Sequence, residues 1–232
     1  MKMKKLILLL SMSAILVGCK TDVIASISTD DLTSSNQKII NGITEIEVIT
    51  CNDYEDSRKD SRSLIEAKNK VSQILPNSNY LECYQKKMDS FAVFETPIVV
   101  GSGRDGVEFL DGDIYILNRD DAYLTVMLNP SLIKRIESEE RSLSMIGKVD
   151  LNIIIELKKG ADFVPDLVWQ SVYTSDTPSD MRKYPQIMHR FSGDGLDSMY
   201  ITFSDVANSM LMKGKPAAVA WHPKALLESI KK

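Results

Sequence analysis

Alternation of apolar and polar residues over 149–157 constrains the fold more than any other feature of this chain. The apolar residues fall on every second position: Val149, Leu151, Ile153, Ile155 and Leu157. Successive side chains of a β-strand point to opposite faces, so this segment predicts a half-buried strand. Shorter alternations over 43–51 and 199–203 predict two more strands.

The middle of the chain predicts an antiparallel meander between residues 91 and 128. Asp111-Gly112 lies between the apolar runs 107–110 and 113–117. Asp-Gly favours a two-residue hairpin, because a type I′ turn needs positive φ at both central positions. Four short helices are expected: from Ser63 (N-cap, with Glu66 at N3) to Pro76, over 129–140, from Ser204 to Gly214, and over 223–231. The predicted fold class is therefore α+β, with one or more antiparallel, meander-rich sheets.

The first nineteen residues carry a separate signal. Three lysines (Lys2, Lys4 and Lys5) precede an apolar run over 6–17, and the sequence Leu16-Val17-Gly18-Cys19 follows. The run is shorter than the roughly 20 residues that span a bilayer. The segment resembles a bacterial lipoprotein signal peptide with its lipobox. That resemblance implies a diacylglycerol group on the Cys19 thiol, cleavage before Cys19, and N-acylation; an ordinary signal peptide with a chance cysteine is the alternative.

The same resemblance implies a division of the chain into segments and a cellular location. Residues 1–18 are the expected signal peptide, 19–42 the lipid anchor and a spacer with a possible first strand, and 43–232 an α+β globular region. That region has two possible subdomains, about 43–145 and 146–232. Lipoproteins of diderm bacteria that stay in the inner membrane usually carry Asp after the lipidated cysteine. Lys20 stands there instead, which implies the outer membrane, on its periplasmic face or its surface.

Charge restricts the partners. The chain has 28 Lys and Arg against 32 Asp and Glu, and the signal peptide holds three of the lysines, so the mature net charge is about −7. A mildly acidic chain without a long basic run argues against nucleic acid as a partner. The mature part is also similar to small lipoproteins of enterobacteria and their prophages, a similarity that carries over no functional residues.

Two cysteines remain once Cys19 is assigned to lipid. Cys51 and Cys83 form an even pair, and the extracytoplasmic space is oxidising, so a disulfide is expected. Two free buried thiols or part of a metal site are the alternatives. Only two histidines occur in the chain, and neither cysteine belongs to a Cys-x-x-Cys pair, which argues against zinc.

Two short motifs resemble catalytic signatures without their context. Residues 101–106 (Gly-Ser-Gly-Arg-Asp-Gly) match the dinucleotide-binding pattern, but a strand is expected next where that site needs a helix N-terminus. Ser131 and Lys134 match Ser-x-x-Lys, yet the Ser-Asp-Asn and Lys-Thr-Gly elements of penicillin-binding enzymes are missing from the sequence. A turn and a helix start are the simpler interpretations.

The remaining candidates are also explained by structural roles. His189 and His222 could belong to a hydrolase site, but catalysis is not favoured for either, and a local cap or packing role is favoured for His222. The acidic turn 192–197 lacks the ligand spacing of a calcium loop. Four aromatic residues could line a groove, although core packing is the default: Trp169, Tyr173, Tyr184 and Trp221.

The sequence therefore predicts a lipid-anchored envelope protein that binds a protein or glycan partner, without catalytic residues, cofactor or metal. One specialised alternative is a prophage-type lipoprotein that blocks a phage receptor and so excludes superinfecting phage. The other alternative is a hydrolase of the cell wall or of a small substrate.

Overall fold

The computed structural model describes residues 20–142, 150–161, 166–178, 188–193 and 195–223. The strands in these residues are β1 (Lys20–Ser28), β2 (Gln37–Val48), β3 (Asn79–Lys86), β4 (Asp89–Ser102), β5 (Ile114–Asn118), β6 (Leu124–Leu128), β7 (Asp150–Lys158), β8 (Asp166–Gln170), β9 (Val172–Ser175), β10 (Met188–Ser192), β11 (Ser198–Phe203) and β12 (Ala217–Trp221). The helices are α1 (Thr29–Thr33), α2 (Arg62–Ile74), α3 (Pro130–Ser142) and α4 (Asp205–Met212).

The predicted fold class is wrong, because strand predominates and all described strands join one mixed sheet. Their order is β10-β8-β12-β6-β5-β4-β2-β1-β7-β11-β9, and β3 pairs with β4 outside this path. Two pairings are parallel, β1 with β7 and β4 with β5. Neither can be formed by a short hairpin, so an antiparallel meander does not describe the molecule.

The expected hairpin at Asp111-Gly112 is the clearest local error. In the structure 103–113 is a loop that connects β4 to β5 without a helix, and β5 runs parallel to β4. Phe109 of the loop packs edge-to-face on Tyr115 of β5, with ring centroids 6.0 Å apart. The Leu110 carbonyl accepts a hydrogen bond from the Tyr115 hydroxyl at 3.2 Å. These contacts hold the loop against the sheet.

The sheet nearly closes on itself because β8, the second strand from one end of the strand order, is followed in the chain by β9, the strand at the other end. Ser171, the residue between them, has φ of 58°. Its carbonyl accepts a hydrogen bond from the Ser204 amide at 3.0 Å. The chain therefore passes from β8, beside the terminal strand β10, to β9 at the other end of the sheet through a single left-handed residue.

One large apolar cluster packs against one face of the sheet. Inward residues of the central strands, such as Val23, Ala25 and Ile27, are at most 1% exposed. The apolar faces of the helices complete the cluster; Leu32, Leu64, Leu132 and Leu211 belong to it. α2 and α3 pack against each other, and the Arg135 guanidinium joins them by donating to the Ile74 carbonyl and to the Asp113 carboxylate.

Some predictions of single elements agree with the structure, and others differ from it or fall outside the described residues. α2 forms as expected, but its N-cap is Ser61, whose Oγ accepts from the Leu64 amide at 3.1 Å, and not Ser63. Residues 20–42 supply β1, α1 and the first part of β2. The signal segment with Cys19, the proposed 145/146 boundary, Tyr184 and Asp194 lie outside the described residues, as does the expected terminal helix apart from Pro223.

Candidate functional site

The face of the central sheet opposite the core cluster carries three neighbouring isoleucines. Ile24 of β1 pairs with Ile43 of β2 on one side and with Ile154 of β7 on the other. All three are half-buried and are not members of the core clusters. We call Ile43, Ile24 and Ile154 the isoleucine row; it is an apolar strip that crosses three hydrogen-bonded strands.

Alternation along β1 explains the row. Val23, Ala25 and Ile27 point into the core, so the residues between them face outward. A one-residue slip of register would exchange these two faces, and burial of the inward set fixes the register. The row is therefore held in place by the core beneath it.

Carboxylates frame the row on both sides. Asp22 and Glu45 pair across β1 and β2 one position-pair before it, and Glu156 of β7 lies beside Ser26 one position-pair after it. Glu95 of β4 pairs with Ile43 at the end of the row. The nearby cations are Lys20, which bonds Asp22 at 3.1 Å, and Lys158, which lies 3.4 Å from Glu156. Four carboxylates against two ammonium groups leave this face negative.

The Glu156 carboxylate is held by three neighbours. Ser26 Oγ donates to it at 2.8 Å and the Tyr200 hydroxyl at 3.1 Å, and the Lys158 ammonium is adjacent. Partial burial acts to raise the pKa of Glu156, but these donors and the lysine charge outweigh burial and hold the pKa below its usual value. Glu156 therefore remains ionised near neutral pH.

Glu45 and Asp22 are held in the same way. The Tyr84 hydroxyl donates to Glu45 Oε1 at 3.0 Å, and Asn152 Nδ2 donates to Asp22 Oδ1 at 3.0 Å. Burial, followed by the hydrogen bond to Glu45 and the surrounding carboxylate charges, raises the pKa of Tyr84 to about 12. The Tyr84 ring also stacks on Phe91, with centroids 5.5 Å apart. The polar frame is thus anchored by side chains on several strands.

This arrangement is suited to binding and has the anatomy of a protein interface. Protein interfaces combine an apolar centre with a polar rim. The isoleucine row provides such a centre, and the carboxylates provide hydrogen-bond acceptors of one sign around it. Because each group is already oriented by a neighbour, little side-chain ordering is left for a partner to impose.

The disulfide prediction is confirmed. Cys51 and Cys83 are bonded, with their Cα atoms 5.6 Å apart. The two free thiols and the partial metal site are therefore wrong alternatives for these residues. Among the described residues no group of three or more His, Cys, Asp or Glu side chains is arranged to hold a metal ion.

The nucleotide-like and penicillin-binding-like motifs lie in structural roles. Residues 103–106 begin the loop after β4, and no helix N-terminus follows them. Ser131 Oγ donates to Asn129 Oδ1 at 2.9 Å and accepts from Arg135 at 3.2 Å, while Lys134 is exposed. Ser131 therefore supports the start of α3, and its side-chain hydrogen bonds go to Asn129 and Arg135.

The histidines and aromatics do not form one site. His189 lies 2.9 Å from Thr174 Oγ1 through its Nε2, whereas the His222 ring packs edge-to-face on Tyr123. Trp169 is fully buried in the core. Tyr173 and Trp221 are half-buried on β9 and β12, which do not pair with each other. The described part of 192–197 is a turn between β10 and β11, closed by a hydrogen bond from Leu196 to the Gly193 carbonyl.

Comparison with known protein families gives one match, to a domain of unknown function, DUF7424, over residues 21–225. The chain belongs to the DUF7424 family. The match begins at the second residue of β1, so the DUF7424 domain includes the strand that carries Ile24. No curated protein and no solved structure is detectably similar to the chain. No helix in the part of the chain that the structure describes is long and apolar enough to cross a membrane.

Proposed function

We propose that this DUF7424 protein is a lipid-anchored binding module of the bacterial envelope, without enzymatic activity, that holds a protein partner on its isoleucine row. The observation that carries the proposal is the apolar strip of Ile43, Ile24 and Ile154 within a frame of oriented carboxylates. Neighbouring side chains orient these carboxylates, so the face offers a partner a fixed arrangement of acceptors.

The tether rests on the lipobox residues that end at Cys19. Acyl chains at Cys19 anchor the protein, since two or three chains bind a bilayer stably where one binds only marginally. Lys20 after the cysteine supports the outer membrane as the destination. Metabolic labelling with a palmitate analogue tests this step: the wild type incorporates label, and Cys19→Ser does not.

The chemistry of the face defines the partner. An aliphatic centre excludes water best against another apolar surface, and the negative frame favours Lys and Arg around that surface. The partner is therefore a protein with an apolar patch bordered by basic residues. The carboxylates orient the partner and discriminate against acidic surfaces, while the isoleucines supply the apolar burial.

The decisive experiment replaces an isoleucine of the row by arginine. Ile43→Arg removes apolar area and places a cation beside Glu95, its cross-strand neighbour, which can pair with it and preserve the sheet. The matched control is Ile39→Arg on the same strand, at a position 53% exposed and outside the row. Photo-crosslinking in intact envelopes then compares the proteins captured by wild type and both variants.

We expect Ile43→Arg to weaken capture of the partner by about tenfold or more, as for a residue at the centre of an interface, and Ile39→Arg to leave it unchanged. Equal loss in both variants, or no loss in either while thermal melting stays normal, would contradict the assignment of this face. A phage receptor of the outer membrane among the captured proteins would connect the module with prophage lipoproteins that block superinfection.

A further inference from the structure

The start of β1 defines one end of the sheet, which we call the tether end. Thr21 pairs with Ile46, and β2 continues past that level to Val48, which pairs with Ser90 of β4. The β3–β4 hairpin continues in the same direction to its turn at Lys87 and Met88. At about 3.4 Å per residue, Met88 lies about 14 Å beyond the level of Thr21. Cys19 is bonded to Lys20, so the chain enters the fold on the side where this hairpin projects.

The hairpin turn has an unfavourable residue choice for a purely structural turn. Lys86 pairs with Asp89 across a two-residue turn, and Lys87 has φ of 59°. Glycine is favoured at a first central position with positive φ, and lysine there costs conformational energy. Backbone strain of this kind clusters at functional sites, so the conformation of Lys87 motivates a functional explanation.

Apolar side chains are exposed at the same end. Met88 is 91% exposed, and Ile49, the residue after β2, is 70% exposed. Lys86 and Lys87 precede the methionine and Asp89 follows it; all three are exposed, and the two lysines leave the tip with a net positive charge. An apolar side chain beside ammonium groups suits the boundary between the lipid headgroups and acyl chains, where Met enters the apolar layer and Lys pairs with phosphates.

We infer that the tip of the β3–β4 hairpin, formed by Lys86, Lys87 and Met88, is a second membrane-contact site that inserts into the bilayer beside the lipid tether. The inference rests on the proposed acylation of Cys19. The occupant is a bilayer with anionic phosphate headgroups, since the tip offers cations and one apolar side chain in line with the point where the chain meets the membrane. Contact at two points fixes the orientation of the body, whereas attachment at one point would leave the body free to rotate about that point.

A depth measurement on the lipidated full chain tests the inference. Met88→Cys and, as matched control, Ile39→Cys each receive an environment-sensitive fluorophore and are reconstituted in vesicles of phosphatidylethanolamine and phosphatidylglycerol. Some vesicles carry nitroxide quenchers on the acyl chains. The two positions are eleven residues apart along the strand direction, up to about 37 Å, which exceeds the thickness of one leaflet. Mass spectrometry of the same samples reports the acyl chains on Cys19.

We expect the probe at position 88 to be quenched several-fold more than the probe at position 39, with a blue-shifted emission. Equal, weak quenching at both positions in protein that carries acyl chains on Cys19 would overturn the inference and leave the tether standing. Protein without acyl chains on Cys19 would overturn the proposed tether, and the inference with it. Energy transfer between labelled copies without quenching by lipid would show that the tip contacts a second copy, and would also overturn the inference.

Discussion

Removing the Cys51–Cys83 disulfide should lower the free energy of unfolding by roughly 3.5–4 kcal/mol. The bond closes a loop of 32 residues in sequence separation, and the chain-entropy model gives this magnitude for a loop of that length. The loop contains all of α2, whose buried residues Leu64, Ala67 and Val71 belong to the core. The loss therefore affects a segment that belongs to the core cluster.

Other contacts limit how far the segment can open. Ser61 caps α2 and its amide donates to the Cys51 carbonyl at 3.0 Å, while Arg135 bonds the Ile74 carbonyl at the other end of the helix. The native packing therefore persists without the bond, and the effect is expected in the unfolded chain, which gains conformational freedom.

Urea unfolding of the Cys51→Ser/Cys83→Ser double variant measures the change, and the variant should melt roughly 8–15 °C below the wild type. Wild type treated with a reductant should match the variant, and the same treatment should not affect the variant. A loss of less than about 1 kcal/mol would refute the reasoning, since it would mean that the unfolded chain gains little freedom when this loop is opened.

Three further substitutions test the packing of α2 on α3, the connection between β8 and β9, and the hydrogen bond of Tyr84 on the outer face of the sheet. Arg135→Ala should lower the free energy of unfolding by about 1–3 kcal/mol in urea titrations, because it leaves the Asp113 carboxylate and the Ile74 carbonyl without this donor. The control Arg62→Ala, at an exposed ion pair, should lower the free energy of unfolding by less than about 0.5 kcal/mol. Ser171→Val should destabilise by about 1–3 kcal/mol, since a β-branched residue is disfavoured at φ of 58°, whereas Ser171→Gly should be tolerated in the same melts. In the folded protein the pKa of Tyr84 is raised from 10.0 to about 12. The stability linked to this group is therefore present below pH 10 and is lost as the pH rises toward 12. Tyr84→Phe should remove this transition, both in tyrosinate absorbance and in thermal melts at alkaline pH.

Local periodicity was sufficient to predict several elements. The alternation over 149–157 corresponds to β7, which spans Asp150–Lys158, and the apolar face of 64–75 corresponds to α2. The observed N-cap, Ser61, lies two residues before the predicted one, Ser63. Ser61 Oγ accepts from the Leu64 amide and also donates to the Thr50 carbonyl. Competing serines two residues apart are not distinguished by sequence spacing alone.

Long-range pairings were beyond such reasoning. β1 and β7 lie 130 residues apart in the chain and pair in parallel. No turn residue in the sequence indicates such a long-range pairing. The Asp111-Gly112 pair is a good hairpin signal, yet no hairpin forms there. Phe109 packs on Tyr115 and the Leu110 amide donates to Gln37 Oε1, and these contacts hold the segment as a loop between parallel strands. Tertiary contacts here override local turn preference.

The candidate site was missed for a related reason. Asp22, Ile24 and Ser26 lie in a stretch that composition favours as a spacer, and its weak alternation was the available signal for a strand. Ile24 gains its neighbours Ile43 and Ile154 only when β1 enters the sheet between β2 and β7. An interface assembled across three strands from distant parts of the chain has no motif in the sequence.

The position of β1 also restricts where the proposed partner can be. β1 begins at Lys20, directly after the lipobox cysteine, so no length of free chain separates the folded body from the proposed anchor. Ile24 is five residues from Cys19, at most about 17 Å along an extended strand. A lipoprotein with a long spacer can place its binding face far from the bilayer, but this geometry holds the isoleucine row within one small-domain radius of the lipid headgroups. The proposed partner must therefore present its basic-bordered apolar patch close to the same membrane, which favours a membrane-resident protein over one that is free in the surrounding compartment.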